Sequence, residues 1–394
     1  MFEHLNPTPE DKILGLMKLY RADPRTDKVD LGVGVYKDAN GNTPIMRAVK
    51  EAEKRLWEVE DTKSYTGLIG DAGFHSVMAD LVLGDSVARD RLSFAHTPGG
   101  TGAIHQILQL IKTATPNTTI WLSNPSWANH ASIIAHLGLE KKDYRYFDSD
   151  TRSVDFAGMM EDLETAKEGD VVLLHGCCHN PTGANLTQAQ WGEVRDLILR
   201  KKLTPFVDIA YQGFGDGIDE DAYGTRLLAA SVPNLLISAS CSKNFGIYRE
   251  RCGLVIAVSE AGEEQTTTQA NLAHLNRQNF SFPPDHGARL VTLVMQDEAL
   301  KSDWEAELRE IREGMISIRS QLANALRDAS GSDRFGFLAE HRGMFSRLGT
   351  SSENVVALRE KHGIYMVGDS RMNIAGITED KVDRLTSAFM DVGV

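Results

Sequence analysis

The chain has 394 residues, 42% of them hydrophobic, so it can bury a large core and is expected to form two domains. Its 42 basic residues face 55 acidic ones, a formal net charge of -13. That balance argues against general nucleic-acid binding, which needs a basic face, but a local pair of arginines could still bind a small anionic substrate.

Neither the N-terminal segment nor the cysteines indicate a secreted protein. The N-terminus has neither a basic n-region nor an apolar h-region, and no apolar run is long enough to span a bilayer. The four cysteines are too few for a disulfide scaffold and lack zinc-finger spacing; they are Cys177, Cys178, Cys241 and Cys252. We expect reduced thiols, no metal site and a cytoplasmic location.

The N-terminal elements are short. Residues 10–22 predict a helix, because their apolar side chains recur at helical spacing. Residues 31–36 (Leu-Gly-Val-Gly-Val-Tyr) predict a short strand that enters a turn.

The middle of the chain predicts a largely parallel sheet covered on both faces. Short apolar runs alternate there with helix-length segments, which is the pattern of βαβ units. The predicted strands are residues 119–122, 144–147, 171–175, 205–209, 235–239 and 254–258. In such a sheet, functional residues gather at the carboxyl ends of the strands.

The last quarter predicts a long helix and a smaller α+β region. Apolar residues at helical spacing over 298–329 indicate one amphipathic helix, long enough at 1.5 Å per residue to bridge two domains. Strands are predicted near 343–348 and 365–367, and a final helix from about 378. We expect residues 1–45 to complete this small domain.

The predicted domain boundaries follow from this pattern. Residues 1–45 form the N-terminal arm and part of the small domain, and residues 46–300 form the large domain. Residues 301–394 form the connecting helix and the rest of the small domain.

A glycine-rich turn is the first candidate for a functional site. Gly99, Gly100 and Thr101 precede a helical run, residues 104–111. Glycines allow close backbone approach and a helix start favours a phosphate, although a plain glycine-rich turn is an alternative.

The second candidate follows the strand 171–175. His175 and His179 are interpreted as packing residues, since nothing gives them a metal-ligand pattern. Asn180 could donate its amide to a phenolate-like oxygen. The Asn180–Pro181 and Asn124–Pro125 bonds are candidates for the cis form.

An acid and a phenol form the third candidate. Asp208 ends a strand and Tyr211 follows three residues later. A carboxylate can keep an aromatic ring nitrogen protonated while a phenol bonds a ring oxygen. A helix-capping role for Asp208 is the alternative.

The fourth candidate is Lys243, which follows the apolar run 235–239. A lysine amine at a strand end can form a Schiff base with an aldehyde cofactor. Alone, such a lysine more often lies at a surface turn, but three other strand ends carry matching residues. Arg251, eight residues later, could clamp a phosphate.

Together these parts predict pyridoxal 5'-phosphate as the cofactor, and the chain resembles the class I aminotransferases of the aspartate and aromatic amino acid group. The resemblance runs from end to end and is strongest to the bacterial aromatic enzymes. The motifs that carry it are residues 179–183, 208–214, 240–246 and 370–376. It implies the fold type I of pyridoxal-phosphate transferases: an α/β large domain with a mostly parallel sheet, plus a smaller discontinuous α+β domain.

The resemblance also implies roles around the cofactor. Lys243 would hold it covalently and then move the α-proton, Asp208 would pair with the pyridine nitrogen, and Asn180 and Tyr211 would bond the ring oxygen. Trp127 would stack on the ring. The residues implied for the phosphate are Gly99, Gly100, Thr101, Ser240, Ser242 and Arg251.

Substrate and partner contacts are implied in the same way. Arg371 would bind the substrate α-carboxylate, and Gly34 would lie in the segment that closes over it, with Trp127 and Asn180 also near the substrate. Tyr65 and Arg277 would reach the partner's site, so the active site would require a homodimer.

The residues near Arg277 bear on specificity. Two arginines favour dicarboxylates, but Phe282 stands where many aspartate-type enzymes have Asn, and it makes the wall more apolar. We therefore expect ping-pong transamination of aromatic and dicarboxylic amino acids with 2-oxo acids. The alternatives are a strict aspartate aminotransferase, a β-lyase or decarboxylase of the same fold, and a non-catalytic ligand-binding module.

Overall fold

The computed structural model describes residues 1–7 and 11–394. Its α-helices are α1 (Lys12–Ala22), α2 (Arg47–Val59), α3 (Ala72–Leu83), α4 (Gly99–Ala114), α5 (Ala128–His136), α6 (Phe156–Leu163), α7 (Gln188–Lys201), α8 (Ile218–Ser231), α9 (Glu263–Asn279), α10 (His286–Gln296), α11 (Glu298–Ser330), α12 (Phe337–Glu340), α13 (Ser352–His362) and α14 (Val382–Asp391). Its strands are β1 (Val29–Asp30), β2 (Leu92–Pro98), β3 (Thr119–Asn124), β4 (Glu140–Arg145), β5 (Val171–His175), β6 (Thr204–Ile209), β7 (Leu235–Ser240), β8 (Cys252–Val258), β9 (Phe345–Arg347), β10 (Ile364–Tyr365) and β11 (Arg371–Asn373).

The chain divides into two compact units. The larger unit is Pro44–Gly314, and the smaller unit combines Met1–Thr43 with Met315–Val394. The second division therefore falls inside α11, and residues 301–314 belong to the larger unit. Among the helices of residues 1–7 and 11–394, none combines the length and the apolar content that a membrane crossing requires.

A seven-stranded sheet organises the larger unit. Its strand order is β2-β8-β7-β6-β5-β3-β4, and only β8 runs antiparallel to its neighbours. The predicted α/β fold with a mostly parallel sheet is confirmed.

The strand directions bring six chain segments together along one side of this sheet, the side at which the parallel strands have their carboxyl ends; we call it the carboxyl edge. Pro98 at the end of β2 pairs with Cys252 at the start of β8, and Ser240 at the end of β7 pairs with Gly253. Because β3, β5 and β6 run parallel to β7, their carboxyl ends lie at the same edge. Residues that follow those ends, and those just before β8, are therefore neighbours.

The core beneath the carboxyl edge fixes the start of α4. Ala103, Ile104 and Ile107 of α4 are buried in one cluster with residues of the sheet such as Leu173 and Val255. The glycines that begin α4 are thereby held against the strand ends.

One predicted strand has shifted bounds and one was wrong. The predicted strand 144–147 overlaps β4 (Glu140–Arg145) only at Tyr144 and Arg145, because β4 lies at the edge of the sheet, where all its residues but Tyr144 are exposed and apolar patterning gives little signal. Residues 31–36 lie outside any strand. The N–H groups of Gly32 and Val33 donate to the side chain of Asp30 instead of to the backbone of a neighbouring strand.

Other sequence predictions hold with small shifts. The long helix is confirmed as α11, and both Asn–Pro bonds are cis. The first helix is confirmed over Lys12–Ala22, whereas its predicted start at residue 10 lies outside the described residues. The predicted final helix begins at Val382, after a short 3₁₀ turn.

The smaller unit joins two distant segments by strand pairing. β1 pairs with β10 in parallel, and β9 pairs with β11 antiparallel. Its core contains Leu31 from the N-terminal segment together with Leu322, Leu358 and Phe389. The N-terminal segment is therefore part of this core.

Trp304 supports the turn that carries the candidate lysine. It is fully buried, its ring stacks on Phe245 with centroids 4.7 Å apart, and its Nε1 donates to the Asn244 carbonyl at 2.7 Å. The turn at residues 244–245 is thus fixed from within α11.

We expect Trp304→Ala to lower the free energy of unfolding by about 3–5 kcal/mol, because it leaves a cavity. Trp304→Phe keeps the ring stack and loses the hydrogen bond, so its cost should be about 1–3 kcal/mol. Urea unfolding of both variants measures this difference. Equal costs would show that the ring stack contributes nothing.

Candidate active site

Lys243 lies three residues beyond β7, in a turn closed by the Gly246 N–H, which donates to the Lys243 carbonyl at 2.9 Å. Its Nζ is 4.8 Å from the centroid of the Tyr211 ring. Burial lowers the pKa of Lys243 to about 8, assisted by Arg251 and opposed by Asp208. A much larger share of this amine is therefore neutral and nucleophilic near pH 7 than on an exposed lysine.

Asp208 is a buried carboxylate next to the end of β6. Its Oδ2 lies 3.0 Å from Nε2 of His130, and its Oδ1 accepts from the Ser238 hydroxyl at 2.8 Å. Burial alone would raise the pKa of Asp208, but His130, His175 and Ser238 outweigh it and hold the pKa below its usual value. The carboxylate stays ionised and can hold a proton on a neighbouring ring nitrogen.

A chain of hydrogen bonds behind Asp208 was not predicted from the sequence. Nδ1 of His130 bonds the Ser126 hydroxyl at 3.0 Å, and the same hydroxyl bonds Nε2 of His175 at 2.9 Å. Burial lowers the pKa of His175 to about 3, so its ring is neutral. His130 follows β3, but no spacing in the sequence links it to Asp208.

Asn180 and Tyr211 form a pair of polar groups near Lys243. The Asn180 amide donates to the Tyr211 hydroxyl at 3.4 Å, and Asn180 Oδ1 is buried without a protein partner. His179 supports this turn from behind, because its ring bonds Ser123 and Thr182. The amide and the phenol together could bind one ligand oxygen.

The Gly99–Gly100 turn and Arg251 form an anion cradle. A Cβ on Gly99 would lie 2.3 Å from Nη2 of Arg251, and Gly99 has φ +73, so glycine is required there. Arg251 Nη1 donates to the Ser242 hydroxyl at 3.3 Å. Ser240 lies against Gly100, with its Cβ 3.0 Å from the place of a Cβ there.

The chemistry of this cradle suits a phosphate. The first N–H groups of α4 have no partners within the helix, and a guanidinium and serine hydroxyls stand beside them. Thr101 and Arg251 also line a cavity of about 510 Å³.

Trp127 immediately precedes α5 and is partly exposed. Its ring stands edge-on to His130, with centroids 5.2 Å apart and an interplanar angle of 89°. The indole is thus fixed beside the hydrogen-bond chain that supports Asp208.

A second group in the larger unit contains Tyr65, Arg277 and Phe282. Tyr65 is 84% exposed and stacks on Phe282, with centroids 4.7 Å apart and an interplanar angle of 17°. The Arg277 guanidinium lies 5.8 Å from the Phe282 centroid and donates to the Ser281 hydroxyl. No pattern in the sequence indicates that Tyr65, more than 200 positions earlier, meets Phe282.

Gly34 and Arg371 lie in the smaller unit. Arg371 is buried, donates through Nη2 to the Gly32 carbonyl at 2.8 Å, and has its guanidinium 4.4 Å from the centroid of Phe345. A Cβ on Gly34 would lie 2.7 Å from Cζ of Phe345. Phe345, which the sequence analysis missed, thus packs against both predicted residues.

Comparison with known proteins agrees with these observations. A family model described as aminotransferase class I and II matches residues 26–389. The chain is 54% identical over 394 residues to an aromatic-amino-acid aminotransferase of Paracoccus denitrificans, covering 100% of both chains. It is 41% identical over 395 residues to an aspartate aminotransferase of Haemophilus influenzae, again covering 100% of both.

A solved structure is similar as well. The aromatic-amino-acid aminotransferase from Burkholderia pseudomallei, described as covalently bound to pyridoxal phosphate, superposes with a TM-score of 0.97 at 37% identity. The similarity covers 100% of this chain and 99% of that one.

The close contact between Gly253 and the cradle yields a prediction. A Cβ on Gly253 would lie 2.3 Å from the Gly99 carbonyl carbon and 2.7 Å from the Gly100 nitrogen, which are backbone atoms that cannot move independently. We expect Gly253→Ala to lower the free energy of unfolding by about 1–3 kcal/mol.

Gly192 of α7 provides the matched control. A Cβ there meets no atom within 4 Å, so Gly192→Ala should be neutral or stabilise by up to about 1 kcal/mol. Urea unfolding measures both variants. A Gly253→Ala protein as stable as the control would contradict the close approach of β8 to the cradle.

Proposed function

The chain belongs to the family of class I and II aminotransferases, and we propose that its larger unit binds pyridoxal 5'-phosphate through Lys243. The reaction is transamination of the aromatic-amino-acid and aspartate type, between L-amino acids and 2-oxo acids. The observation that carries the cofactor assignment is the pairing of a low-pKa lysine with a buried ionised carboxylate at the carboxyl edge.

The chemistry of the residues fits this cofactor. A phosphate matches the cradle of Gly99, Gly100 and Arg251, and the unpaired Oδ1 of Asn180 marks a polar position that protein atoms leave unfilled. We assign Thr101, Ser240 and Ser242 to the phosphate as well. Trp127, fixed beside His130, is assigned to the face of the ring.

When bound, pyridoxal phosphate supplies an electron sink for the substrate α-carbon and carries the amino group between the two half-reactions. Asp208 holds a proton on the pyridine nitrogen, which its own ionised state favours. Lys243 would hold the cofactor covalently, and as a free amine it would serve as the base for the α-proton, a role that its pKa of about 8 favours near neutral pH. Asn180 and Tyr211 would donate to the ring oxygen.

Substrate binding is assigned to two arginines. Arg371 is proposed to bind the α-carboxylate, and its contact with Phe345 and bond to Gly32 hold the planar guanidinium in one orientation. Gly34 belongs to the segment proposed to close over the substrate. Arg277 is proposed to bind a side-chain carboxylate.

We propose a homodimer in which Tyr65 and Arg277 serve the partner's site. The 84% exposure of Tyr65 supports this assignment, because a phenol that binds a phosphate in its own chain would be more enclosed. We also propose a cytoplasmic location, which suits four cysteines that form no disulfide within the described residues.

The cofactor and the reaction are tested by absorbance spectroscopy of the purified protein. We expect a visible band from bound pyridoxal phosphate, which glutamate and phenylalanine each convert to the band of pyridoxamine phosphate. Lys243→Ala should still bind the cofactor and lose nearly all of this conversion. If it retained substantial turnover, Lys243 could not have the assigned role.

The responses to glutamate and to phenylalanine distinguish a dual-specificity enzyme from one of the aspartate type. Conversion by both identifies a dual-specificity enzyme, whereas conversion by glutamate alone identifies the aspartate type. Absence of any band after addition of pyridoxal phosphate would contradict the cofactor assignment.

Phe282 should control the balance between the two substrate classes. Its ring contacts both Tyr65 and the Arg277 guanidinium, so it gives Arg277 an apolar support away from a carboxylate. We expect Phe282→Asn to lower kcat/KM for phenylalanine about tenfold while changing that for aspartate less than about threefold, since removal of aromatic contacts costs on the order of 1–1.5 kcal/mol.

Phe280, which shares the same chain segment and precedes Ser281, provides the control. Phe280→Leu keeps an apolar side chain and leaves the Tyr65–Phe282 stack intact, so the ratio of the two constants should stay unchanged. An unchanged ratio in Phe282→Asn would contradict the assigned role of Phe282.

A further inference from the structure

Two adjacent thiols and one carboxylate form a cluster that transamination does not use. The ligand atoms of Cys177, Cys178 and Asp221 all lie within 4.8 Å of one another, and each residue is buried. We call these three residues the dithiol cluster. No other group of three or more Cys, His, Asp or Glu side chains within the described residues meets this spacing.

The backbone brings the two thiols together. Adjacent side chains in an extended segment point to opposite sides. Cys178 instead has φ 50, a left-handed conformation that is uncommon for a residue with a Cβ. This turn directly after β5 leaves both sulfur atoms near the same carboxylate.

Asp221 is held in position by backbone donors. Its Oδ2 accepts from the N–H groups of Gly213 and Gly215, each at 2.8 Å, and its Oδ1 accepts from the Asp216 N–H at 3.0 Å. A carboxylate offers about four acceptor positions, so one remains for a further partner. Metal-bound carboxylates are commonly oriented by hydrogen bonds of this kind.

A cavity gives access to the dithiol cluster. Its volume is about 240 Å³, and Cys177 and Asp221 line it together with Asp216 and Glu220. A water occupies about 30 Å³ of liquid, so a hydrated cation fits. The acidic side chains around the cavity favour entry of a cation over an anion.

We propose that the dithiol cluster binds a thiophilic divalent cation of the Zn²⁺ class. Two thiolates and a carboxylate are ligands that Zn²⁺ accepts, and the cavity supplies room for a water at a fourth position. Binding releases the two thiol protons to solvent and forms two metal–sulfur bonds. The Cys178 thiol donates to the Tyr211 carbonyl at 3.9 Å, and metal binding would replace this weak hydrogen bond.

The test is metal titration of the chelator-treated, dialysed holoenzyme. We expect calorimetry to give one Zn²⁺ per chain, and Cd²⁺ to produce the ultraviolet absorbance of metal–thiolate bonds. Cys177→Ser and Cys178→Ser should each weaken Zn²⁺ binding at least about tenfold and remove most of the Cd²⁺ band. Thermal unfolding of each variant shows whether it is folded.

Cys252→Ser is the matched control. Cys241 and Cys252 are also buried thiols, but they belong to no such group of three among residues 1–7 and 11–394. This variant should bind Zn²⁺ like the parent protein. A parent protein without saturable Zn²⁺ binding and without a Cd²⁺ band would overturn the proposal, whether or not the serine variants fold. Equal affinity in the parent and both cluster variants would also overturn it, and neither result bears on transamination.

Discussion

The need to keep a buried carboxylate ionised governs the candidate site. Asp208 is removed from water at the centre of the sheet, where burial favours the neutral acid. His130 and Ser238 supply the hydrogen bonds that reverse this preference, and Ser126 and His175 extend the support. The resulting negative charge opposes the lowering of the Lys243 pKa by burial.

Close backbone approach is the second constraint. Within the seven-stranded sheet, β8 runs opposite to the other six strands, and it brings Gly253 within touching distance of the Gly99–Gly100 turn. The same reversal places Arg251, just before β8, beside the start of α4. The place where a strand start, two strand ends and a helix start meet is therefore suited to an anion, and it depends on glycines that leave room for a guanidinium.

Each arginine proposed to bind a substrate carboxylate rests against a phenyl ring of its own unit. Arg371 lies over Phe345, and Arg277 lies over Phe282. An aromatic face attracts a guanidinium and limits its rotamers without neutralising its charge. The two supports differ, since Arg371 is buried with a backbone acceptor whereas Arg277 contacts a largely exposed stack. This difference supports a fixed role for Arg371 and an adjustable one for Arg277.

Local patterns in the sequence were sufficient for the strand runs at 171–175 and 235–239, for α11, and for the motifs that contain Asp208, Asn180 and Lys243. Apolar runs, glycines and Asn–Pro turns carry that information within a few residues. The tertiary structure alone decided that His130 meets Asp208, 78 positions away, and that Tyr65 meets Phe282. It also decided the course of residues 31–36, where the Asp30 side chain accepts from the Gly32 and Val33 N–H groups, and the meeting of Cys177 and Cys178 with Asp221. These contacts depend on strand order and on single backbone angles, which no short stretch of sequence encodes by itself.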